Sequence, residues 1–355
     1  MSPVKYKNKI IKGAILFFFL LIFLFPYASY QGASSGLLLW FLNVLPNLLP
    51  FIIVSNLMIR LNIAGQISRF LYPVLGRLFR LSHDGCYPLL LGFLSGIPMG
   101  AKSSADLVNE RRISKEEGNF LLSMCNNASP VFIMNYIAIN QLKLPQFRLP
   151  LFLIVYCSAV ISALLYKAVG KLRKDNPFPA PMPQADTLKG KDPSPVRLQT
   201  GAEKEVLLKA TAFQKKEKPE LRPRSVRFSF DMVDHSIMNG FEVITKIGGY
   251  IILFSILAQV VNETLPAMGI LKASFMGMLE ITTGINQLCK LQIGSSIKIV
   301  LAAVLTSFGG LSGMAQTKSV LGYSGLSIKS YFLVKLFNAF VTFMITMIYV
   351  TLLRN

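Results

Sequence analysis

The sequence predicts an all-α polytopic membrane protein made of two inverted-topology repeats with broken, re-entrant helical hairpins. Three observations predict it. The 355 residues are 52% hydrophobic and only 15% charged, and the mean hydropathy is +0.51. Apolar runs of roughly 20 residues recur, long enough to cross about 30 Å of hydrocarbon. Within them, Gly92-Phe93-Leu94-Ser95-Gly96-Ile97-Pro98-Met99-Gly100-Ala101-Lys102-Ser103 begins apolar, breaks on glycine and proline, and ends in charge. Lipid cannot satisfy the backbone groups such a break frees, so the segment must line a protected polar cavity. A second stretch, Gly309-Gly310-Leu311-Ser312-Gly313-Met314-Ala315-Gln316-Thr317-Lys318-Ser319, shares the G-x-L-S-G core and, with a one-residue gap, the Lys-Ser that follows. Interrupted segments in both halves of a chain point to the binding site of an inverted-repeat transporter.

The net charge of +20 admits nucleic acid as a partner in principle. Most of the surplus flanks apolar spans, where basic residues set membrane orientation, and the partner it implies is the lipid bilayer. Cys86, Cys125, Cys157 and Cys289 are scattered in apolar surroundings without C-x-x-C spacing, and His83 and His235 lack ligand spacing. The reading therefore holds no disulfide frame, no metal site and no cofactor.

In chain order, Lys5, Lys7, Lys9 and Lys12 precede an apolar run from Gly13 to Tyr30. This resembles a signal peptide, but it lacks a clear cleavage site, so residues 1–35 read as a retained signal anchor with a cytoplasmic N-terminus. Residues 31–35 read as an outer turn. Residues 36–140 form the first repeat. Its opening span carries Pro46 and Pro50, which free backbone carbonyls and kink a helix. Residues 61–81, with Arg69, Arg77 and Arg80 among apolar positions, suit an amphipathic interfacial helix. The first broken segment follows and ends in the charged stretch Asp106 to Glu117, so both its ends lie on one side. Ser114 with Glu117 three residues on marks a helix start. That helix holds Asn126, Asn127 and Ser129 before Pro130, which are costly in lipid and expected to face the cavity.

Residues 141–170 supply a connecting span. Residues 171–230 differ in kind: up to Arg227 they hold eight prolines and 14 Lys/Arg against seven Asp/Glu, the composition of a basic cytoplasmic loop. Residues 231–355 form the second repeat: a span over 237–261, a hairpin-like stretch over 265–291, a span over 297–320 holding the second break, and a return over 331–353 that leaves the C-terminus cytoplasmic.

No catalytic constellation is present: there is no G-x-S-x-G, no phosphate-binding lysine loop and no H-E-x-x-H, so the chain reads as a carrier or channel and not an enzyme. At the breaks, half-helix N-termini offer N–H groups and partial positive charge to an anion, and glycines let it approach. Ser95, Gly96, Gly100, Lys102, Ser103, Asn126, Asn127, Ser312, Gly313, Gln316 and Lys318 are the candidate substrate contacts. Lys102 and Lys318 could together hold a dianion; the alternative is that each snorkels to the interface or pairs with an acid such as Asp106. Glu280 and Thr283, in Leu279-Glu280-Ile281-Thr282-Thr283-Gly284, are candidates for a coupling ion, with a buried ion pair as the alternative.

Taken together, Val44-Leu45-Pro46-Asn47-Leu48-Leu49-Pro50-Phe51, Gly92 to Asp106, Ile113-Ser114-Lys115-Glu116-Glu117, Cys125-Asn126-Asn127-Ala128-Ser129-Pro130, Glu280 to Gly284 and Ser307-Phe308-Gly309-Gly310-Leu311-Ser312 resemble the family of the sporulation integral membrane protein YlbJ, in the nucleoside-recognition (Gate) domain group. The chain departs from that pattern at Gly313-Met314 and at Ala128-Ser129. The resemblance implies a fold similar to concentrative nucleoside transporters. It also implies a sporulation role: moving dipicolinic acid, a small organic dianion, from the mother cell across the outer forespore membrane by alternating access. The alternatives are a carrier of nucleosides or another small solute, and a membrane scaffold for spore cortex or envelope assembly. Each leaves room for a homo-oligomer.

Overall fold

The computed structural model describes residues 3–61, 63–172, 228–266 and 268–352; the basic loop expected over 171–230 lies almost wholly outside them. Secondary structure among the described residues is all helical. Four helices are long and apolar enough to cross a membrane: Pro145–Val169, Phe230–Thr264, Ser295–Leu321 and Ile328–Leu352. A bent pair at the N-terminus makes up to five.

That pair corrects the expected first span. Helix α1 (Pro3–Leu24) ends one residue before α2 (Pro26–Leu39), and the two apolar segments meet at 105°. Pro26 disfavours the helical region for the residue before it, and Phe25 sits at φ −122°, ψ 61°. The expected turn at residues 31–35 is helical and lies inside α2. Gly32 and Gly36 let α2 approach the long helix α10 (Phe230–Thr264, numbered here in chain order) at backbone contact: a Cβ on Gly32 would lie 2.7 Å from the Ile256 Cα. Two small residues four apart form the close-packing stripe of membrane helices. A π-helical turn, Trp40–Val44, then leads into α3 (Leu45–Arg60), and the Leu45 N–H bonds to the Trp40 carbonyl. Pro46 has no N–H to offer the preceding turn, which explains the change of register there.

The amphipathic stretch is α4 (Ile63–Leu71), a π turn (Tyr72–Gly76) and the short α5 (Arg77–Phe79). Phe70, Val74 and Leu78 form an exposed apolar stripe at i, i+4, i+8, and Arg69, Arg77 and Arg80 are exposed beside it.

Two sets of elements then follow in the same order. The first is a pair of short helices, α6 (Cys86–Ser95) and α7 (Met99–Asn109), packed on each other about the break at Gly96. Next comes a broken helix, α8 (Lys115–Cys125) followed after Pro130 by a π-helix (Phe132–Gln141), and then the span α9 (Arg148–Leu172). After α10 the order recurs. A short pair, α11 (Ile270–Leu279) and α12 (Ile281–Lys290), packs about Glu280. A broken helix, α13 (Ser295–Phe308) and α14 (Gly310–Leu321), precedes the span α15 (Ile328–Leu352).

This order re-pairs the motifs. The G-x-L-S-G at Gly92–Gly96 sits in a hairpin, but the one at Gly309–Gly313 interrupts a helix that continues as a single span from Ser295 to Leu321. The second hairpin is the one tipped by Glu280. By element order, Asn126–Pro130 corresponds to Gly309–Gly310. Gly309 and Gly310 have φ of +82° and +68°, so α13 can stop and α14 start without a folded-back connection only because neither residue has a Cβ.

Two apolar clusters support the breaks. One gathers Leu89, Ala101, Phe120, Leu122, Phe308 and Tyr331. The other gathers Ile133, Leu151, Val155, Leu288, Ile299 and Ala302. Phe93, just before the first break, packs against both.

Candidate substrate cavity

A cavity of about 100 Å³ lies where four helix breaks meet. The first break contributes Ser95 and Ile97, and the second Ala128 and Ser129. Glu280, Ile281 and Thr282 come from the tip of the second hairpin, and Gly309, Ser312, Gly313 and Gln316 from the start of α14. Asn43 and Leu48, from the Pro46 region, and Ile251 of α10 complete one side.

The polar groups in this wall differ in how far they are satisfied. Glu280 is 2% exposed. Its Oε2 accepts from the Thr282 and Thr283 hydroxyls and from the Thr283 N–H at 2.8 Å. It is therefore the N-cap of α12 as well as a wall of the cavity. Ser312 accepts a bond from the Gln316 amide one turn on, at 3.1 Å. Ser95 is 1% exposed and its Oγ has no partner among the described residues, an orphan that costs stability unless something in the cavity bonds it. The first turn of α14 has no side-chain cap at Gly309.

The other sequence candidates lie elsewhere. Gly96 and Gly100 serve a tight crossing: a Cβ on Gly96 would stand 2.6 Å from the Ser129 nitrogen, and one on Gly100 2.7 Å from the Cys125 carbonyl oxygen. Ser103 bonds back to the Met99 carbonyl at 2.8 Å. Lys102 is paired with Asp106 at 2.9 Å across one turn of α7, and Lys318 is exposed on α14. Neither lysine lines the cavity, so the two-lysine clamp is not formed. The bland pairing with Asp106 is what the i, i+4 spacing favours. Thr283 reaches Glu280 but not the cavity wall.

Asn126 and Asn127, expected to face the cavity, stand behind its wall and hold the breaks together. Asn126 is fully buried. Its Oδ1 accepts from the Ala101 N–H at 3.3 Å, and its Nδ2 donates to the Thr317 hydroxyl at 2.8 Å and the Tyr331 hydroxyl at 3.0 Å. The Asn127 carbonyl accepts from the Ile97 N–H at 2.7 Å, and its Oδ1 accepts from Lys335 at 2.8 Å. Lys335 was not among the sequence candidates. The signal was available: an ionisable residue in the middle of an apolar span.

A second cavity, about 180 Å³, lies beside the C-terminal end of α7 and is lined by Asp84, Ser103, Asp106, Glu110 and Arg112. It is larger, but its principal charges are already paired. Arg112 donates to both Asp84 oxygens, at 3.0 and 2.9 Å. Burial pushes the Asp84 carboxyl up, but the bidentate Arg112 guanidinium outweighs this and holds it below its ordinary value. A depressed folded-state pKa gives stability that is present above the unfolded value, roughly 4, and is lost as pH falls through the folded value. Thermal unfolding of the native chain and Asp84→Asn between pH 6 and pH 3 should show the native chain losing its advantage over the variant at the acid end. A constant gap across that range would exclude this pair as a source of acid sensitivity.

The fold and cavity define an integral membrane protein, all helical among its described residues, whose helix breaks meet at a small, largely apolar site with a few polar groups in its wall. The chain is 26% identical over 360 residues, spanning 95% of its length and 81% of the relative's, to the sporulation integral membrane protein YlbJ of Bacillus subtilis (strain 168). That similarity supports the YlbJ family assignment made from the motifs. No family model matches the chain, and no solved structure matches it.

Proposed function

We propose that the chain is a sporulation membrane carrier that moves a small organic anion, dipicolinate, from the mother cell across the outer forespore membrane by alternating access about the cavity. The observation that carries this reading is the convergence of four helix breaks on one site with a buried, unpartnered Ser95 hydroxyl. The first turn of α14, which has no side-chain cap, reaches the wall, so partial positive charge and N–H groups are presented there. The repeated order of hairpin, broken helix and span supports two related halves, which inverted-repeat alternating access requires. The sporulation name of the similar protein supports the setting.

The lining changes how such an anion would be held. With Lys102 and Lys318 outside the wall, hydroxyls, the Gln316 amide and helix dipoles supply the contacts. A carboxylate entering the site meets Glu280. At a few ångströms, like charges in a partly desolvated site repel by several kcal/mol, so a cation must enter with the anion to offset it.

The test is dipicolinate assayed separately in mother-cell and spore fractions of a deletion strain complemented with the native chain or with Ser95→Ala. The deletion should strand dipicolinate in the mother cell. Ser95→Ala, at native protein level, should cut delivery about tenfold, the value of one buried hydrogen bond. Normal delivery in the deletion strain would end the dipicolinate reading. A scaffold would tolerate the loss of a cavity hydroxyl. One observation favours a second reading, a carrier of nucleosides or another neutral solute: the described wall contains a carboxylate and no lysine or arginine. Competition by nucleosides in a vesicle uptake assay separates the two.

A further inference from the structure

Lys335 is the one lysine among the described residues that is wholly removed from solvent, at 0% exposed. It lies in α15, away from either end of that span. Removing an ammonium from water is expensive and usually demands a paired carboxylate. None is there: among the described residues no acidic side chain forms an ion pair with it.

Its surroundings are oxygen dipoles. Nζ donates to the Ser307 carbonyl at 2.9 Å and to Asn127 Oδ1 at 2.8 Å, and it lies 5.8 Å from the Tyr331 ring centroid. Ser307 belongs to the last turn of α13, and Asn127 follows the end of α8. The C-terminal end of a helix carries partial negative charge and carbonyls with no partner in the helix. One such end, that of α13, and the Asn127 amide oxygen just beyond α8 thus converge on one cation. Asn338, one turn further along α15, donates to the same Ser307 carbonyl at 3.4 Å and holds it in place. A shell of carbonyl and amide oxygens without carboxylates suits a monovalent cation; divalent ions take carboxylates.

We propose that Lys335 Nζ fills an internal monovalent-cation site between the ends of α8 and α13, and that the chain carries as a tethered ammonium what would otherwise be a bound ion. The charge pins the two broken helices together directly behind Ala128 and Gly309 of the cavity wall. The inference does not depend on which solute the cavity carries. It makes the site empty, and fillable, once the tether is cut.

The experiment uses the full chain purified in detergent micelles, with unfolding midpoints measured in choline, sodium, potassium and ammonium chloride. Lys335→Ala removes the tether and leaves room for an ion. Lys335→Met removes the charge but fills the space. The native chain and Lys335→Met should respond alike to the four salts, with the methionine variant the less stable in each. Lys335→Ala should melt lowest in choline and rise by several degrees, saturably, with at least one small cation. Glu280 is present in all three chains, so a cation bound there shifts all of them equally. No cation-specific rise in Lys335→Ala beyond that of Lys335→Met overturns the proposal. If Lys335→Ala does not accumulate folded, the membrane levels of Lys335→Arg and Lys335→Met decide. Arginine above methionine supports a required charge. Methionine equal to or above arginine shows that the position needs only bulk, and overturns it.

Discussion

Replacing Asn126 with leucine is expected to lower stability by roughly 2–4 kcal/mol, the largest loss from a single side chain at the breaks. The two side chains branch at the same atom, but leucine is the larger, so overpacking at this fully buried position adds to the loss of bonding. Leucine leaves the Ala101 N–H, which opens α7, without its acceptor. An orphaned buried donor costs about 1–3 kcal/mol. The two bonds to α14 and α15 are lost as well, but bonds between membrane helices average only about 0.6 kcal/mol each. Thr317 keeps its bond to the Gly313 carbonyl and Tyr331 its bond to the Asn126 carbonyl, which limits the damage. Denaturant or thermal unfolding in micelles measures the difference. A loss below about 1 kcal/mol would mean that the hub relaxes around leucine and that the breaks are held by packing.

The long apolar spans were legible because their signal is local. The stretches 149–169, 237–261 and 331–353 each read as a single crossing; the first two fall within one helix each, and the third does so as far as residue 352, where the described residues end. The N-terminal bend was not legible, although Pro26 was visible: the same proline is compatible with a kink inside a span or with a right angle. Which one forms depends on the docking of α2 against α10, through Gly32 and Gly36. The pairing of the breaks was misread for a related reason. Repeated letters suggested that Gly92–Gly96 and Gly309–Gly313 were counterparts. A glycine-rich break is used both where a chain folds back and where a helix stops and resumes, and only the packing of α6 on α7, against the straight run from α13 to α14, tells them apart.

The site divided in the same way. Ser95, Glu280, Ser312 and Gln316 stood out as polar residues at breaks and Gly313 as a glycine beside them, and they line the cavity. Asn126 and Asn127 stood out by the same logic, yet they bond to other elements, because an amide can satisfy up to four partners and a crossing of four helices offers them. Lys102 and Lys318 were attractive by charge, but charge near a helix end is free to find Asp106 or solvent. Lys335 carried the strongest sequence signal and no motif. A search guided by broken segments passed over it because it sits in an intact helix.

Glu280→Gln is expected to keep the fold and lose transport. The wild-type carboxylate has two duties, capping α12 and presenting charge to the cavity. The glutamine carbonyl can still accept from the Thr283 N–H and the threonine hydroxyls, so stability should stay within about 1 kcal/mol of native, the scale of a helix cap. The charge is gone, and with it the group that would bind the coupling ion and release it on the far side. Uphill uptake into vesicles should fall by two orders of magnitude or more, equivalent to about 3 kcal/mol of lost coupling. Downhill exchange should survive, because the proposed substrate contacts at Ser95, Ser312 and Gln316 are intact. Glu280→Ala removes both duties: it leaves the Thr283 N–H uncapped and should lose stability and transport together. The pair of variants therefore separates cap from charge. If Glu280→Gln drives uphill uptake at the native rate, the carboxylate is a helix cap that happens to face the cavity, and the charge that accompanies the anion must be carried elsewhere.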